Sequence, residues 1–109
     1  MTETEIKNDR VLSAFIKNIH EKLGEKLQEA WLFGSRARGD NSQDSDYDVL
    51  LVADGELARI REIVLEEEYY VFEKEEELIV STIYNSDAWN IEQNSPLGWN
   101  IQKEGFKLV

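Results

Sequence analysis

The longest apolar run of the chain, Val49 to Ala53, most constrains its fold because it follows directly on two acidic residues, Asp46 and Asp48. A continuous apolar run of this length is typical of a strand that is buried within a sheet. We therefore predict a buried strand over residues 45–53, in a small sheet that is covered by helices. The corresponding fold class is α/β or α+β.

Periodic apolar residues and turn-forming residues predict the remaining elements. Asn8 or Asp9 can cap the first helix, and Ser95-Pro96 is a favourable start for the last one. We expect residues 1–109 to form a single domain. In chain order the predicted elements are a helix over 9–26, a strand over 27–33, a loop over 34–44 with one helical turn, a strand over 45–53, a helix from Leu57 to Tyr70 or beyond, a strand over 78–84 and a helix from Pro96 to about Gly105.

The composition excludes several kinds of site and partner. Lys and Arg number 12 against 23 Asp and Glu, so the net charge is −11, and we expect neither direct DNA binding nor binding to anionic membranes. The chain has no cysteine and one histidine, His20, which excludes thiolate metal sites and sites with two imidazoles. The acidic N-terminus is unlike a signal peptide, so we expect a cytoplasmic protein.

A short polar segment after the strand over 27–33 is suited to binding phosphate. Gly34 permits a sharp turn and a close approach of ligand to backbone, and a helical turn beginning near Ser35 would direct free N–H groups at a phosphate. Arg36 and Arg38 add positive charge to an otherwise acidic chain. We favour Arg38 as a phosphate ligand, because guanidinium geometry suits phosphate, and we expect Arg36 to face solvent.

Asp46 and Asp48 are the candidate metal ligands. Residues two apart on a strand lie on the same side, so the two carboxylates should be neighbours at the mouth of the sheet, with Tyr47 facing the opposite way. Adjacent like charges are unfavourable unless they share a cation, and Mg²⁺ is commonly held by one or two carboxylates together with substrate phosphates. A phosphate-binding turn beside such a pair suits transfer at phosphorus.

These motifs resemble the nucleotidyltransferase superfamily that includes DNA polymerase beta, and most closely its minimal nucleotidyltransferase (MNT) domains. The family motif is Gly-Ser, about ten residues, and two acids separated by one apolar residue. It stands here as Gly34-Ser35, ten residues, and Asp46-Tyr47-Asp48. The spacer, with Arg36-Ala37-Arg38-Gly39-Asp40 and Ser45, is also similar to that of the family. The resemblance implies a small mixed sheet packed against helices.

The resemblance also implies a reaction: the transfer of a nucleoside monophosphate, AMP where the substrate is ATP, from a nucleoside triphosphate to a hydroxyl acceptor. Gly34 and Ser35 would bind the triphosphate, and Asp46 and Asp48 would hold Mg²⁺, two ions in the full family mechanism. Family members use a third carboxylate on a later strand, but the strand over 78–84 has none. Glu77, at its edge, is the nearest candidate third catalytic carboxylate, followed by Glu75.

Two functions from different classes remain open. The first is an enzyme whose acceptor is supplied separately, for which the family implies a small helical HEPN-type partner in a toxin–antitoxin pair. The second is a nucleotide-binding or antitoxin module with little turnover, which the missing strand carboxylate favours. The acidic run over residues 66–77 is either a solvated helix face or a surface that meets a basic protein.

Some residues also have simpler interpretations. Ser35 lacks the surroundings of a hydrolase nucleophile, and His20 is expected to be an ordinary exposed residue. Trp31, Trp89 and Trp99 could stack on a base, but packing in or near the core is the default expectation for them.

Overall fold

A computed structural model describes residues 1–42 and 45–109 of the chain. The last two residues of the predicted loop, Gln43 and Asp44, lie outside the described residues. The elements in chain order are helix α1 (Glu3–Lys7), helix α2 (Arg10–Leu23), a 3₁₀ turn (Gly24–Lys26), strand β1 (Leu27–Phe33), helix α3 (Gly34–Arg38), strand β2 (Tyr47–Ala53), helix α4 (Leu57–Glu75), strand β3 (Ile79–Tyr84), helix α5 (Ser86–Glu92), helix α6 (Pro96–Glu104) and strand β4 (Phe106–Lys107).

The four strands form one mixed sheet in the order β3-β2-β1-β4. β1 pairs antiparallel with β2 and β4, while β2 pairs parallel with β3 through the long crossover helix α4. β2, the predicted buried strand, is therefore central, with Asp48 level with Phe33 on β1 and with Val80 on β3. The predicted fold class, a small mixed sheet packed against helices, is confirmed.

Helices cover both faces of the sheet, as the apolar run of β2 requires. One face carries Val49, Leu51 and Ala53 and forms the larger core with buried residues of α2 and α4. The other face carries Leu50 and Val52, and a smaller core forms there from these two and from the residues Trp89 of α5 and Ile101 of α6. Asp48 lies on this second face, at the end of the strand nearest α3, because it alternates with Tyr47 and Val49.

Most of the predicted elements are present, with shifts at their ends. The first helix ends at Leu23 and tightens into the 3₁₀ turn, β2 begins at Tyr47 rather than at residue 45, and α4 continues past Tyr70 to Glu75. The strand over 27–33 has the predicted bounds. The helix from Pro96 is also confirmed, with the hydroxyl of Ser95 accepting a hydrogen bond from the Gly98 N–H.

Three short elements were not predicted: α1, α5 and β4. Each is too short for apolar periodicity to be visible, and each depends on local or tertiary contacts instead. α1 has a capping box in which Thr2 and Glu5 exchange hydrogen bonds. α5 is capped by Asn85, and its Ser86 also donates both its N–H and its hydroxyl to the Asp54 carboxylate at the end of β2. β4 exists only through pairing with β1.

The start of β2 is fixed to the start of α2 by one side chain. Asp9, one of the two predicted caps, accepts the Leu12 N–H with one oxygen at 2.8 Å and the Tyr47 hydroxyl with the other at 2.7 Å. Tyr47 is buried on the face opposite Asp48, as predicted. Burial and the Asp9 carboxylate together raise the pKa of the Tyr47 phenol, so it stays a hydrogen-bond donor. No helix in the described residues has the length and hydropathy that crossing a membrane would require.

Candidate active site

The predicted phosphate turn and the predicted metal ligands meet at Gly34. Gly34 has φ +77° and begins α3 directly after β1. A Cβ built at this position would collide with Oδ2 of Asp48 and would lie only 3.0 Å from Cγ of the same side chain. Only glycine therefore allows the turn to lie against that carboxylate. Phe33 supplies no side-chain cap to α3, and half-buried Ser35 is the second residue of the helix.

Asp46 and Asp48 form a like-charged pair beside this turn. Partial burial raises the pKa of the Asp48 carboxyl, and the nearby Asp46 charge raises it further, while Arg38 acts in the opposite direction. Asp46 is exposed and Asp48 is half-buried. A pair of this kind fits Mg²⁺, because a divalent cation would remove the repulsion and would replace the water that Asp48 loses on burial.

Arg38 is the candidate phosphate ligand of the turn. Its guanidinium is half-exposed and is shared between Asp40, at 3.2 Å, and Glu104 of α6, at 3.9 Å. Exposed ion pairs of this kind contribute little to stability and exchange readily for a better partner. The charge of Arg38 counteracts the raised pKa of the Asp48 carboxyl, and its role as a phosphate ligand stays a prediction.

The prediction that Arg36 faces solvent is wrong. Arg36 is 8% exposed, and its guanidinium lies over the Tyr47 ring at 3.9 Å from the centroid. Its Nε donates to the Ser45 carbonyl at 2.8 Å, and its Nη2 pairs with Glu77 at 3.4 Å. One side chain thus connects α3, the residues before β2 and the entry to β3. Sequence reasoning missed it because the three partners come together only in the folded chain.

Glu77 is held by Arg36, and Glu75 by a bidentate pair with Arg10 at 2.9 Å. The β3 residue level with Asp48 is Val80, which is 44% exposed. Within residues 1–42 and 45–109, no group of three acidic, histidine or cysteine side chains is arranged to hold a metal ion. The role of Glu77 as third carboxylate stays a prediction.

The other aromatic and histidine residues lie away from this arrangement. Trp89 is buried, Trp31 is half-buried against the same small core, and His20 is exposed on α2, as expected. Trp99 departs from the default expectation of packing, because it is 57% exposed, with the Lys103 ammonium 4.6 Å from its ring centroid. None of these observations gives the tryptophans a role in base recognition.

Comparison with known proteins identifies the class to which this fold and site belong. Residues 12–100 match the family of nucleotidyltransferase domains, a span that includes the turn, the carboxylate pair and Glu77. The chain belongs to this nucleotidyltransferase family. No functionally curated protein is significantly similar to the sequence.

Solved structures with the same fold include members of toxin–antitoxin systems. A toxin–antitoxin crystal structure with AMP-PNP is 20% identical, with 88% of this chain and 71% of that chain covered and a TM-score of 0.56. A mutant of the toxin–antitoxin MntA-HpeT is 19% identical, with 89% and 71% covered and a TM-score of 0.59. A Sulfolobus solfataricus protein, provisionally assigned as a nucleotidyltransferase, is 22% identical, with 96% and 82% covered and a TM-score of 0.55. At these identities the similarity establishes the fold.

Removing the Asp48 charge should stabilise the protein at neutral pH. A carboxyl whose pKa is raised on folding binds protons more tightly in the folded state, so its unfavourable contribution is present at pH 7 and disappears as pH falls towards 3.8. Asp48→Asn should therefore unfold at higher urea than the wild type at pH 7, and this difference should vanish near pH 3.5. The exposed Asp87→Asn, with the same charge change, is the control. An equal gain in stability at both pH values would contradict the raised pKa of the Asp48 carboxyl.

Removing the Arg36 guanidinium should destabilise the fold. Arg36→Met keeps the length of the side chain but leaves the Ser45 carbonyl and the Glu77 carboxylate without their donor, at a cost of about 2–3 kcal/mol in the free energy of unfolding. Arg36→Lys keeps the charge but loses the planar fork, so we expect an intermediate loss. The exposed Arg61→Met should change stability by less than about 0.5 kcal/mol. Urea unfolding measures the stability of all three variants. Equal effects at positions 36 and 61 would refute the role of Arg36 in connecting α3 to the residues before β2 and β3.

Proposed function

We propose that this chain transfers a nucleoside monophosphate, AMP from ATP, to a hydroxyl of a separate acceptor in an Mg²⁺-dependent reaction. The observation that carries the proposal is the approach of Gly34 to the Asp48 carboxylate, which joins a phosphate-binding turn to a pair of carboxylates. Membership of the nucleotidyltransferase family supports the same reaction class. We place the reaction in the cytoplasm, where nucleoside triphosphates and Mg²⁺ are abundant.

In the proposed mechanism, the turn binds and orients the triphosphate. The backbone at Gly34 approaches the phosphates closely, the Ser35 hydroxyl donates a hydrogen bond, and Arg38 exchanges its exposed carboxylate partners for phosphate oxygens. Asp46 and Asp48 are the residues that would hold Mg²⁺. The metal, when bound, neutralises charge on the entering and leaving oxygens.

The chemical step is a displacement at the α-phosphorus. The acceptor oxygen forms a bond to that phosphorus, the bond from it to the pyrophosphate oxygen breaks, and pyrophosphate leaves with the electron pair. The acceptor hydroxyl must lose a proton to a nearby base. Glu77 is the proposed third carboxylate for this purpose, and it could act only if its pairing with Arg36 at 3.4 Å opens when substrate binds.

We propose a small helical protein of the HEPN type as the partner that supplies the acceptor hydroxyl. Two considerations support a protein partner: the fold is found in solved toxin–antitoxin structures, one of them with AMP-PNP, and the net charge of −11 opposes a nucleic-acid acceptor. The chain would then act as the antitoxin of such a pair by modifying its partner.

A binding module with little turnover is the second candidate. It is favoured by Val80 at the β3 position beside Asp48 and by the lack of a three-carboxylate group in the described parts of the chain. On this alternative the chain would neutralise its partner by binding alone, and the carboxylate pair would serve nucleotide binding only.

Transfer of label from a nucleotide distinguishes the two candidates. The purified chain is incubated with Mg²⁺, each α-labelled nucleoside triphosphate in turn and native cell extract. We expect label from ATP on a protein acceptor, with at least a hundredfold loss in the Asp46→Asn, Asp48→Asn double variant because the metal ligands are removed. The double variant Glu21→Gln, Asp87→Asn, which removes two exposed carboxylates, is the matched control and should retain full transfer.

The pattern across variants decides the outcome. If Glu77 is the third carboxylate, Glu77→Gln should reduce transfer at least tenfold while MgATP binding is retained. Transfer that survives in Glu77→Gln at the wild-type rate would remove Glu77 from the mechanism. No label above the double variant, with MgATP still bound by the wild type, would establish the binding module instead.

A further inference from the structure

Helix α4 is apolar on two opposite sides. Its inward side, which faces α2 and the sheet, carries the buried apolar residues Ile60, Ile63, Val64 and Val71, together with Glu67, which pairs with Lys22. Its outward side carries Leu65, Tyr69 and Phe72, at positions i, i+4 and i+7, so these three form one row along the helix. We name this row the α4 ridge.

The ridge is exposed where a surface helix ordinarily carries charge. Leu65 is 63% exposed, Tyr69 63% and Phe72 53%. Single exposed apolar residues are common on protein surfaces, but three large ones in one row form a continuous patch. The inward row alone accounts for the packing of α4 on the core, so folding does not require the ridge to be apolar.

Acidic side chains border the ridge along its C-terminal half. Glu66 and Glu73 lie seven residues apart on one flank, and Glu76 follows at the end of the helix; all three are exposed. The one basic residue of the run over 66–77 is Lys74, which lies by Tyr70 on another side, at 5.8 Å from the ring centroid. The exposed Arg61 lies one turn before Leu65, so the rim is acidic along the C-terminal half of the ridge. An apolar centre with an acidic rim is complementary there to an apolar surface rimmed by Lys or Arg.

The ridge lies beside the outer strand β3, on the face of the sheet opposite Asp48. Glu68 of α4 accepts the backbone N–H of Ser81 at 2.9 Å, which holds the helix against the outer strand β3. The C-terminal end of α4 leads into Leu78, whose carbonyl accepts the Tyr47 N–H at 2.9 Å. A protein seated on the ridge would therefore have to extend around the β3 edge to present a hydroxyl to the carboxylate pair on the other face.

We propose that the α4 ridge is the docking surface for a protein partner with a basic, apolar face. A second copy of this chain is a poor occupant, because each copy carries a net charge of −11 and would bring its own acidic rim to the contact. This inference rests on the proposed function only in so far as the docked protein supplies the acceptor hydroxyl.

A synthetic amphipathic helix of leucine and lysine, labelled with a fluorophore, is the probe for this surface. Its binding is followed by anisotropy, and the same peptide with glutamate in place of lysine measures the charge requirement. The ridge variant is Leu65→Gln, Tyr69→Gln, Phe72→Gln. Its matched control is Ile91→Gln, Leu97→Gln, Trp99→Gln, which removes three exposed apolar residues, 77%, 45% and 57% exposed, from α5 and α6.

We expect the ridge variant to weaken binding of the lysine peptide at least tenfold, and the control variant to change it less than about twofold. Glu66→Gln, Glu73→Gln, Glu76→Gln should weaken binding severalfold at low salt and flatten its salt dependence, relative to Glu21→Gln, Glu25→Gln, Glu56→Gln. Equal effects of ridge and control variants, or equal binding of the glutamate peptide, would overturn the proposal. So would a wild-type dimer in sedimentation that the ridge variant lacks.

MgATP binding separates a failure of this inference from a failure of the proposed function. The ridge variant should bind MgATP like the wild type, because none of its three residues lies at the turn or the carboxylate pair. The Asp46→Asn, Asp48→Asn variant should keep its affinity for the lysine peptide. If the wild type does not bind MgATP, this result would count against the proposed function, whatever the peptide result.

Discussion

The buried guanidinium of Arg36 is the interaction on which the candidate site depends. It lies on the Tyr47 ring, donates to the Ser45 carbonyl and pairs with Glu77, so a single charge connects α3 to the start of β2 and to the entry of β3. An arginine suits this position because its planar fork reaches several partners at once and keeps its charge when buried. The phosphate turn and the carboxylate pair then meet in one place although a ten-residue spacer separates them in the sequence.

The same arrangement leaves an unfavourable repulsion between the Asp46 and Asp48 carboxylates. Unfavourable electrostatics of this kind are typical of functional sites. Asp48 is half-buried beside Asp46 and against the glycine turn, and Arg38 offsets only part of the resulting rise in its pKa. A domain that only needed to fold would gain by replacing one of the two acids. The retained repulsion has a physical purpose if a divalent cation and a triphosphate complete the site, which is the function we propose.

The central strand, the turn and the two carboxylates could be predicted because each depends on short-range sequence. The apolar run after Asp48 is typical of a buried strand, and Gly34 marks the turn before it. The burial of Arg36 could not be predicted, because its partners lie up to 41 residues away in the chain. The surroundings of Glu77 were hidden for the same reason: spacing placed it near the strand edge but could not indicate the guanidinium that holds it.

The most direct test of this account is calorimetric titration of ATP, with and without Mg²⁺, into the wild type, Gly34→Ala and Gly24→Ala. Both glycines have positive φ, but a Cβ at Gly24 meets no atom within 4 Å, whereas one at Gly34 collides with Asp48. The account predicts Mg²⁺-dependent binding that falls at least tenfold in Gly34→Ala and persists in folded Gly24→Ala. ATP binding that is independent of Mg²⁺, or unchanged in Gly34→Ala, would contradict a site formed jointly by the turn and the carboxylate pair.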